Sequence, residues 1–65
     1  MMVERLLTPE DVAELLSKPR LFVVRQARSG DIPAIKLGKA WRFRRSTIEA
    51  WLATKERDAH DSAIR

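Results

Sequence analysis

The sequence has no cysteine and only one histidine, His60, in 65 residues. Without cysteine, neither a disulfide framework nor a thiolate metal site can support the fold, and one histidine is too little to build a zinc site. No apolar run approaches the roughly 18 residues needed to span a bilayer, and the N-terminus lacks a signal-peptide pattern. We therefore expect a small cytoplasmic domain that holds neither a metal nor another cofactor.

A catalytic constellation is also missing from the sequence. Hydrolysis or group transfer would require an acid–base pair or a metal cluster in a cleft. The carboxylates of Glu10, Asp11 and Glu14 are better explained as negative charges near the positive end of a helix. A chain this short buries only about 60% of its unfolded surface, which leaves room for one small domain. The sequence thus predicts a binding domain and not an enzyme.

Basic charge is concentrated in the middle of the chain. The formal net charge is +4, but residues 20–45 carry eight positive charges and one negative charge, a net of +7. The flanking segments 1–19 and 46–65 carry net charges of −2 and −1. Such an asymmetry is typical of a surface that binds a polyanion, although an ordinary solvated basic face would have the same composition.

The first helix is marked by local signals. Thr8 is a good N-cap, Pro9 suits the first helical position, and Asp11 lies three residues after the cap as in a capping box. The helix should end near Ser17, because the residue before Pro19 is disfavoured in the helical region. Its apolar stripe consists of Val12, Leu15 and Leu16.

A second helix should begin at about Pro19 or Arg20 and end at Ser29, with Gly30 as its C-terminal cap. Only about three residues separate the two helices, which is the spacing of a helix-turn-helix. Any pair of antiparallel helices would look similar, and the turn lacks the glycine often found there. Phe22 lies beside the arginines of this helix, where it would either complete the core or contact thymine methyl groups.

After residue 33 the apolar period changes from 3.6 to 2, which predicts a two-stranded hairpin. We expect a three-residue connection, Gly38-Lys39-Ala40. The alternation predicts that the basic residues point away from the core and the apolar residues towards it. The outward residues are Lys36 and Arg42, and the inward residues are Ile35, Leu37, Trp41 and Phe43.

The last helix should open at Ser46, because Glu49 three residues later completes a capping box. Its buried stripe is predicted to be Ile48, Trp51 and Leu52. Beyond Ala53 the sequence is polar and aperiodic, so a fraying end and a flexible tail over residues 54–65 are expected. Both tryptophans are expected to lie in the core, and base stacking is the alternative.

The segments "LLTPEDVAELL" and "VVRQARSGDIPAIKLGKAWRFRRSTIEAWL" resemble the excisionase family of small winged helix-turn-helix proteins, which is related to the MerR-type DNA-binding domain. The resemblance covers roughly residues 6–52. It implies a mainly α domain with a two-stranded β-hairpin, in the order helix, turn, helix, hairpin, helix, with an ordered core of about residues 6–53. The chain departs from the family pattern at Lys18 and Pro19, before the second helix, and at Val24 within it.

The resemblance implies a protein that binds and bends double-stranded DNA, in the role of a recombination directionality factor acting with a phage or integrative-element integrase. Several copies would bind adjacent sites cooperatively, and the protein would be prokaryotic and associated with the nucleoid. A small transcription regulator with the same domain is one alternative. A protein-interaction module that binds an acidic partner through the basic strip is another.

In a helix-turn-helix the second helix lies in the major groove, so this helix and the hairpin should supply the DNA contacts. In the second helix Arg20, Arg25 and Gln26 are candidates for base edges, since arginine pairs with guanine and glutamine with adenine. The remaining candidates there are Phe22 for thymine methyl groups and Arg28 for phosphate. The wing and its flank would contribute Lys36, Gly38, Lys39, Arg42, Arg44 and Arg45.

Overall fold

Three helices and a three-stranded antiparallel sheet follow one another in the computed structural model, which describes residues 5–64, with side chains described for 5–59. This architecture confirms the predicted winged helix-turn-helix class, with one strand more than the sequence predicts. The elements are β1 (Leu6–Leu7), α1 (Pro9–Leu16), α2 (Arg20–Ser29), β2 (Ile35–Leu37), β3 (Ala40–Arg44) and α3 (Arg45–Ile64).

The predicted capping box at the start of α1 is present. The Thr8 backbone N–H donates to the Asp11 carboxylate at 3.0 Å, and the Asp11 backbone N–H donates to the Thr8 hydroxyl oxygen at 3.1 Å. Hydrogen bonding from Thr8 to the Asp11 carboxylate, above all from the Thr8 backbone N–H, holds the pKa of Asp11 below its usual value. The positive charges of Arg5 and Arg45 lower that pKa further. The box fixes where α1 begins.

The turn between α1 and α2 depends on Ser17, which takes the left-handed conformation at φ 55° and ψ 43°. Its N–H donates to the carbonyl of Glu14, and the N–H of Lys18 donates to the carbonyl of Ala13. This is a Schellman ending, which glycine usually supplies. Ser17 thus adopts the left-handed conformation that a glycine usually adopts at this position.

We expect Ser17→Gly to raise the free energy of unfolding by about 0.5 kcal/mol. A left-handed residue with a side chain costs about 1–2 kcal/mol, and the greater freedom of glycine in the unfolded chain offsets part of that gain. Urea denaturation followed by tryptophan fluorescence measures the change. Ser17→Ala is the matched control, because it removes the hydroxyl but keeps the strained conformation. A Ser17→Gly protein less stable than Ser17→Ala would contradict the expectation.

The ends of α2 also agree with the sequence. The helix runs from Arg20 to Ser29 as predicted, and Pro19 occupies the N-cap position without a side-chain hydrogen bond. At the other end Gly30 adopts φ 88°, and the N–H of Asp31 donates to the carbonyl of Gln26 at 2.9 Å. A substituted residue would be strained at that φ, so glycine is the natural terminator here.

The hairpin differs from the prediction in the length of its connection. Ala40 is the first residue of β3 and pairs with Leu37, so the loop has two residues, Gly38 and Lys39, and not three. Gly38 has φ 63° and Lys39 does not have a positive φ, a pattern that matches a type II′ turn. Glycine is required at the first loop residue because that position is left-handed.

The shorter loop changes which side chains share a face, so the predicted inward orientation is confirmed for Trp41 and Phe43 and wrong for Ile35 and Leu37. Ile35 lies opposite Arg42, and Lys36 lies opposite Trp41. Opposed residues of antiparallel strands point to the same side, and a one-residue shift moves one strand's side chains to the other face. Lys36 therefore shares the inner face with Trp41 and Phe43, whereas Ile35 lies on the outer face.

The sheet has the strand order β1-β3-β2, so β3 is central. Leu7 pairs with Phe43 across β1 and β3, a long-range contact that the sequence analysis does not predict. Phe43 is fully buried, and its strand packs against α1 and α3. The core consists of Leu7, Val12, Ala13, Val23, Ala27, Ile32, Phe43 and Ile48.

Both tryptophans lie at the margin of this core. Trp41 and Trp51 pack against the core, as predicted, but each is only half-buried and does not lie within it. A lysine covers the ring of each: Lys36 Nζ is 4.7 Å from the Trp41 centroid, and Lys55 Nζ is 5.6 Å from that of Trp51. Such cation–π contacts keep the exposed side of each ring covered.

The last helix, α3, is longer than predicted. It begins at Arg45, so Ser46 is its second residue and not its cap, and it continues to Ile64 through the stretch for which the sequence predicts a flexible tail. Residues 53–59 are exposed on every side, so no packing stabilises this part. Its helical form is consistent with good helix formers such as Ala53, Lys55 and Glu56.

Candidate nucleic-acid interface

The outer face of α2 carries two exposed arginines and an exposed leucine. Val23 and Ala27 are buried and fix the inner face of the helix. At about 100° per residue, Leu21, Arg25 and Arg28 lie on the opposite side, and all three are exposed. Arg25 and Arg28 form no ion pair with the part of the chain that the structure describes. Their guanidinium groups are available to an external acceptor.

Arg20 is placed differently from the other two arginines. Its guanidinium Nε donates to the carboxylate of Glu10 on α1, which forms an ion pair between the two helices. The hydrogen bond from Arg20 is the main reason that the pKa of Glu10 lies below its usual value. Both side chains are more than half exposed, so the pair contributes little to stability. Arg20 would have to exchange this partner to contact a base.

Phe22 and Gln26 lie on the flank of α2 between the inner and outer faces. Phe22 is half-buried and packs against the core, with Lys18 Nζ 5.0 Å from its ring centroid. Gln26 is half-buried, and its backbone carbonyl accepts from the N–H groups of Asp31 and Ile32. Of the two roles considered for Phe22, the structure favours the core. Gln26 remains a candidate at the edge of the exposed face.

The hairpin places its basic residues on both faces and at the tip. Lys39 is exposed at the tip beside Gly38. Lys36 leans over Trp41 on the inner face, whereas Arg42 lies on the outer face and its Nη1 donates to the carbonyl of Trp41 at 2.7 Å. Lys39 is therefore the cation that the tip presents, whereas Lys36 and Arg42 contact Trp41.

Arg44 and Arg45 mark the junction between β3 and α3, and both are exposed. Arg45 borders a shallow groove of about 420 Å³ together with Arg5, Leu6, Leu7 and Asp11. Its charge contributes to the low pKa of Asp11. The structure thus keeps these two arginines beside the hairpin and not on α2.

The apolar pattern of α2 groups Leu21, with Val24, as a candidate neighbour of Val23 and Ala27 on the buried face, and for Leu21 this placement is wrong. Its side chain is 56% exposed, and it is not among the hydrophobic residues that pack against the core. The helical period places Leu21 one turn before Arg25 and roughly opposite the core residue Val23, so its exposed position could have been found from the sequence.

No group of three or more metal-ligating side chains occurs among the residues with described side chains. No helix in the described part of the chain is long and apolar enough to cross a lipid bilayer.

Comparison with known families gives one match. The model of the helix-turn-helix domain family matches residues 6–56, which include both helices of the turn, the sheet and the first part of α3. No curated protein and no solved structure matches the chain. The matched family is typically non-enzymatic and consists of DNA-binding domains, among them excisionase-like proteins. Since the match spans more than three-quarters of the sequence, the chain belongs to the helix-turn-helix domain family.

Proposed function

We propose that the protein binds double-stranded DNA in a sequence-specific manner, with α2 in the major groove and the β2–β3 hairpin as a wing. The observation that carries the proposal is the outer face of α2, where Arg25 and Arg28 are exposed and unpaired among the described residues. In a helix-turn-helix this is the face that meets the base edges. Family membership supports the same choice of ligand.

The chemistry of α2 divides its arginines into two roles. The major groove is about 12 Å wide and admits one α-helix, and an arginine there pairs bidentately with guanine O6 and N7. Arg25, one turn into the exposed face, is assigned this role. Arg28 lies near the C-terminal end of α2 and is assigned to phosphate, which positions the protein without specifying sequence.

The hairpin is assigned to the DNA backbone beside the major groove. Lys39 at the tip is free to contact phosphates or the neighbouring minor groove, and Gly38 allows the tight turn that presents it. Arg44 and Arg45 add cations next to the hairpin. The hairpin and its flank would thus contribute affinity, and α2 would contribute sequence preference.

The small size of the domain favours binding in several copies. One module typically buries about 600–1,000 Å² of protein surface on DNA, which is little for specific regulation by a monomer. We therefore infer cooperative binding at adjacent sites with bending of the DNA. In this form the protein would act in the nucleoid as an excisionase that directs an integrase towards excision. A small transcription regulator would use the same interface, and an excision assay separates the two.

The test is a fluorescence-anisotropy titration with duplex DNA. The probes are the attachment-site region of a neighbouring integrase gene and a scrambled duplex of the same composition. We expect the native duplex to bind at least about tenfold more tightly, which is the discrimination of one bidentate arginine–guanine contact. Fluorescence energy transfer between labelled duplex ends reports the bend, and titration of duplexes with one and two sites reports cooperativity.

Each negative outcome has a definite meaning. Equal binding to both duplexes, lost at moderate salt, would contradict sequence-specific recognition and leave a generic basic surface. No binding to either duplex would contradict DNA binding and favour a module for an acidic protein partner. Independent binding of copies without a bend would contradict only the cooperative architecture.

A further inference from the structure

Leu21 is an exposed apolar residue inside a basic surface. We propose that it recognises the C5-methyl group of a pyrimidine in the major groove, so that the DNA site contains a thymine or a 5-methylcytosine at a fixed distance from the guanine contacted by Arg25. This inference rests on the proposed function, because it assumes that α2 occupies the major groove. It adds an apolar contact to the polar contacts of the arginines.

Exposure and position together support this role. Leu21 is 56% exposed and lies outside the core cluster, although its neighbour Phe22 packs against that cluster. Single exposed leucines are common, so exposure alone carries no argument. Leu21, however, is the second residue of α2, and the N-terminal residues of a recognition helix are those that meet base edges.

The other exposed leucines in the described chain lie in different surroundings. Leu15 is 44% exposed on α1, where Glu14 is its neighbour and the helix has no basic residue in its last turn. Negative charge of this kind disfavours the approach of phosphates. Leu37 is 53% exposed and lies on the outer face of the hairpin, not on α2. Only Leu21 shares a helix face with Arg25 and Arg28.

The ligand follows from the chemistry of the groove. On the major-groove edges of the four standard bases, the C5-methyl of thymine is the apolar group, and the remaining groups are hydrogen-bond donors and acceptors. A leucine side chain offers no hydrogen bond, so burial against a methyl group is the favourable contact open to it. A cytosine methylated at C5 presents the same group at the same place.

The experiment uses a duplex that the wild-type protein selects from a random pool. That duplex is resynthesised with deoxyuridine in place of each thymine in turn, and with 5-methylcytosine in place of each cytosine in turn. We expect one substitution to change affinity by about fourfold, the effect of burying one methyl group. Weaker binding with deoxyuridine identifies thymine as the source of the methyl group, and tighter binding with 5-methylcytosine identifies methylated cytosine.

Leu21→Ala should abolish the sensitivity to that methyl group, and Leu15→Ala, the matched control on α1, should retain it. Since Leu21 is exposed, its replacement should leave the circular dichroism spectrum and the unfolding midpoint nearly unchanged. Persistence of the methyl effect in Leu21→Ala would overturn the inference, as would a selected duplex that no single substitution affects. Those results would leave sequence-specific binding intact. Failure to bind or select any duplex would overturn both proposals.

Discussion

Replacing Phe43 with alanine is expected to lower the free energy of unfolding by about 3–5 kcal/mol, the usual cost of truncating a buried phenylalanine. Phe43 is 0% exposed and lies on the central strand, paired with Leu7 of β1. A 65-residue domain has a total stability of about 3–10 kcal/mol. At the low end of that range, a substantial fraction of the Phe43→Ala protein should be unfolded at room temperature. Urea denaturation followed by tryptophan fluorescence and far-ultraviolet circular dichroism measures the loss.

Leu37→Ala is the matched control for Phe43→Ala. It removes a large apolar side chain from the same hairpin, but Leu37 is more than half exposed, so a change of no more than about 0.5 kcal/mol is expected. Equal losses of stability for the two variants would contradict the strand register, which places Phe43 on the inner face of the hairpin and Leu37 on the outer face.

Arg25→Ala is expected to weaken binding to the selected duplex by about 5- to 150-fold and to relax the base preference at one position. The reason is that Arg25 is assigned a bidentate contact with guanine, each worth about 1–3 kcal/mol. Lys39→Ala should weaken binding to native and scrambled duplexes by the same factor, because a phosphate contact carries no sequence information. Anisotropy titrations with both duplexes measure these effects.

The salt dependence of DNA affinity further distinguishes phosphate contacts from base contacts. If about five cations contact phosphates, log affinity against log salt has a slope of about −4.5, and affinity falls several-hundredfold between about 50 and 200 mM salt. Lys39→Ala should make this slope shallower by about 0.9. Arg57→Ala is the control, since Arg57 is exposed on α3 away from the proposed interface. An Arg57→Ala protein with the same losses as Arg25→Ala would contradict the assignment of the interface to α2.

Local interactions explain why the sequence alone determined where α1 begins and where α2 ends. The capping box joins Thr8 to Asp11, three residues away, and the left-handed Gly30 terminates α2 through hydrogen bonds to its last turn. The buried positions Val12, Val23 and Ile48 follow the helical period. These features depend on neighbours within about four residues, so composition and spacing predict them. The basic middle segment, and with it the expectation of a polyanionic ligand, is likewise a property of the sequence.

Tertiary structure decided how these elements meet. A two-residue loop in place of a three-residue loop moves Lys36 to the face of Trp41 and leaves Ile35 opposite Arg42. The geometry of that turn and the packing of β3 against β1 fix this register. The strand Leu6–Leu7 exists only because β3 offers it a partner. Packing also places Phe22 against the core and leaves Leu21 exposed. Residue types therefore determined the helix ends and the basic middle segment, and tertiary packing determined which side chains α2 presents to the outside.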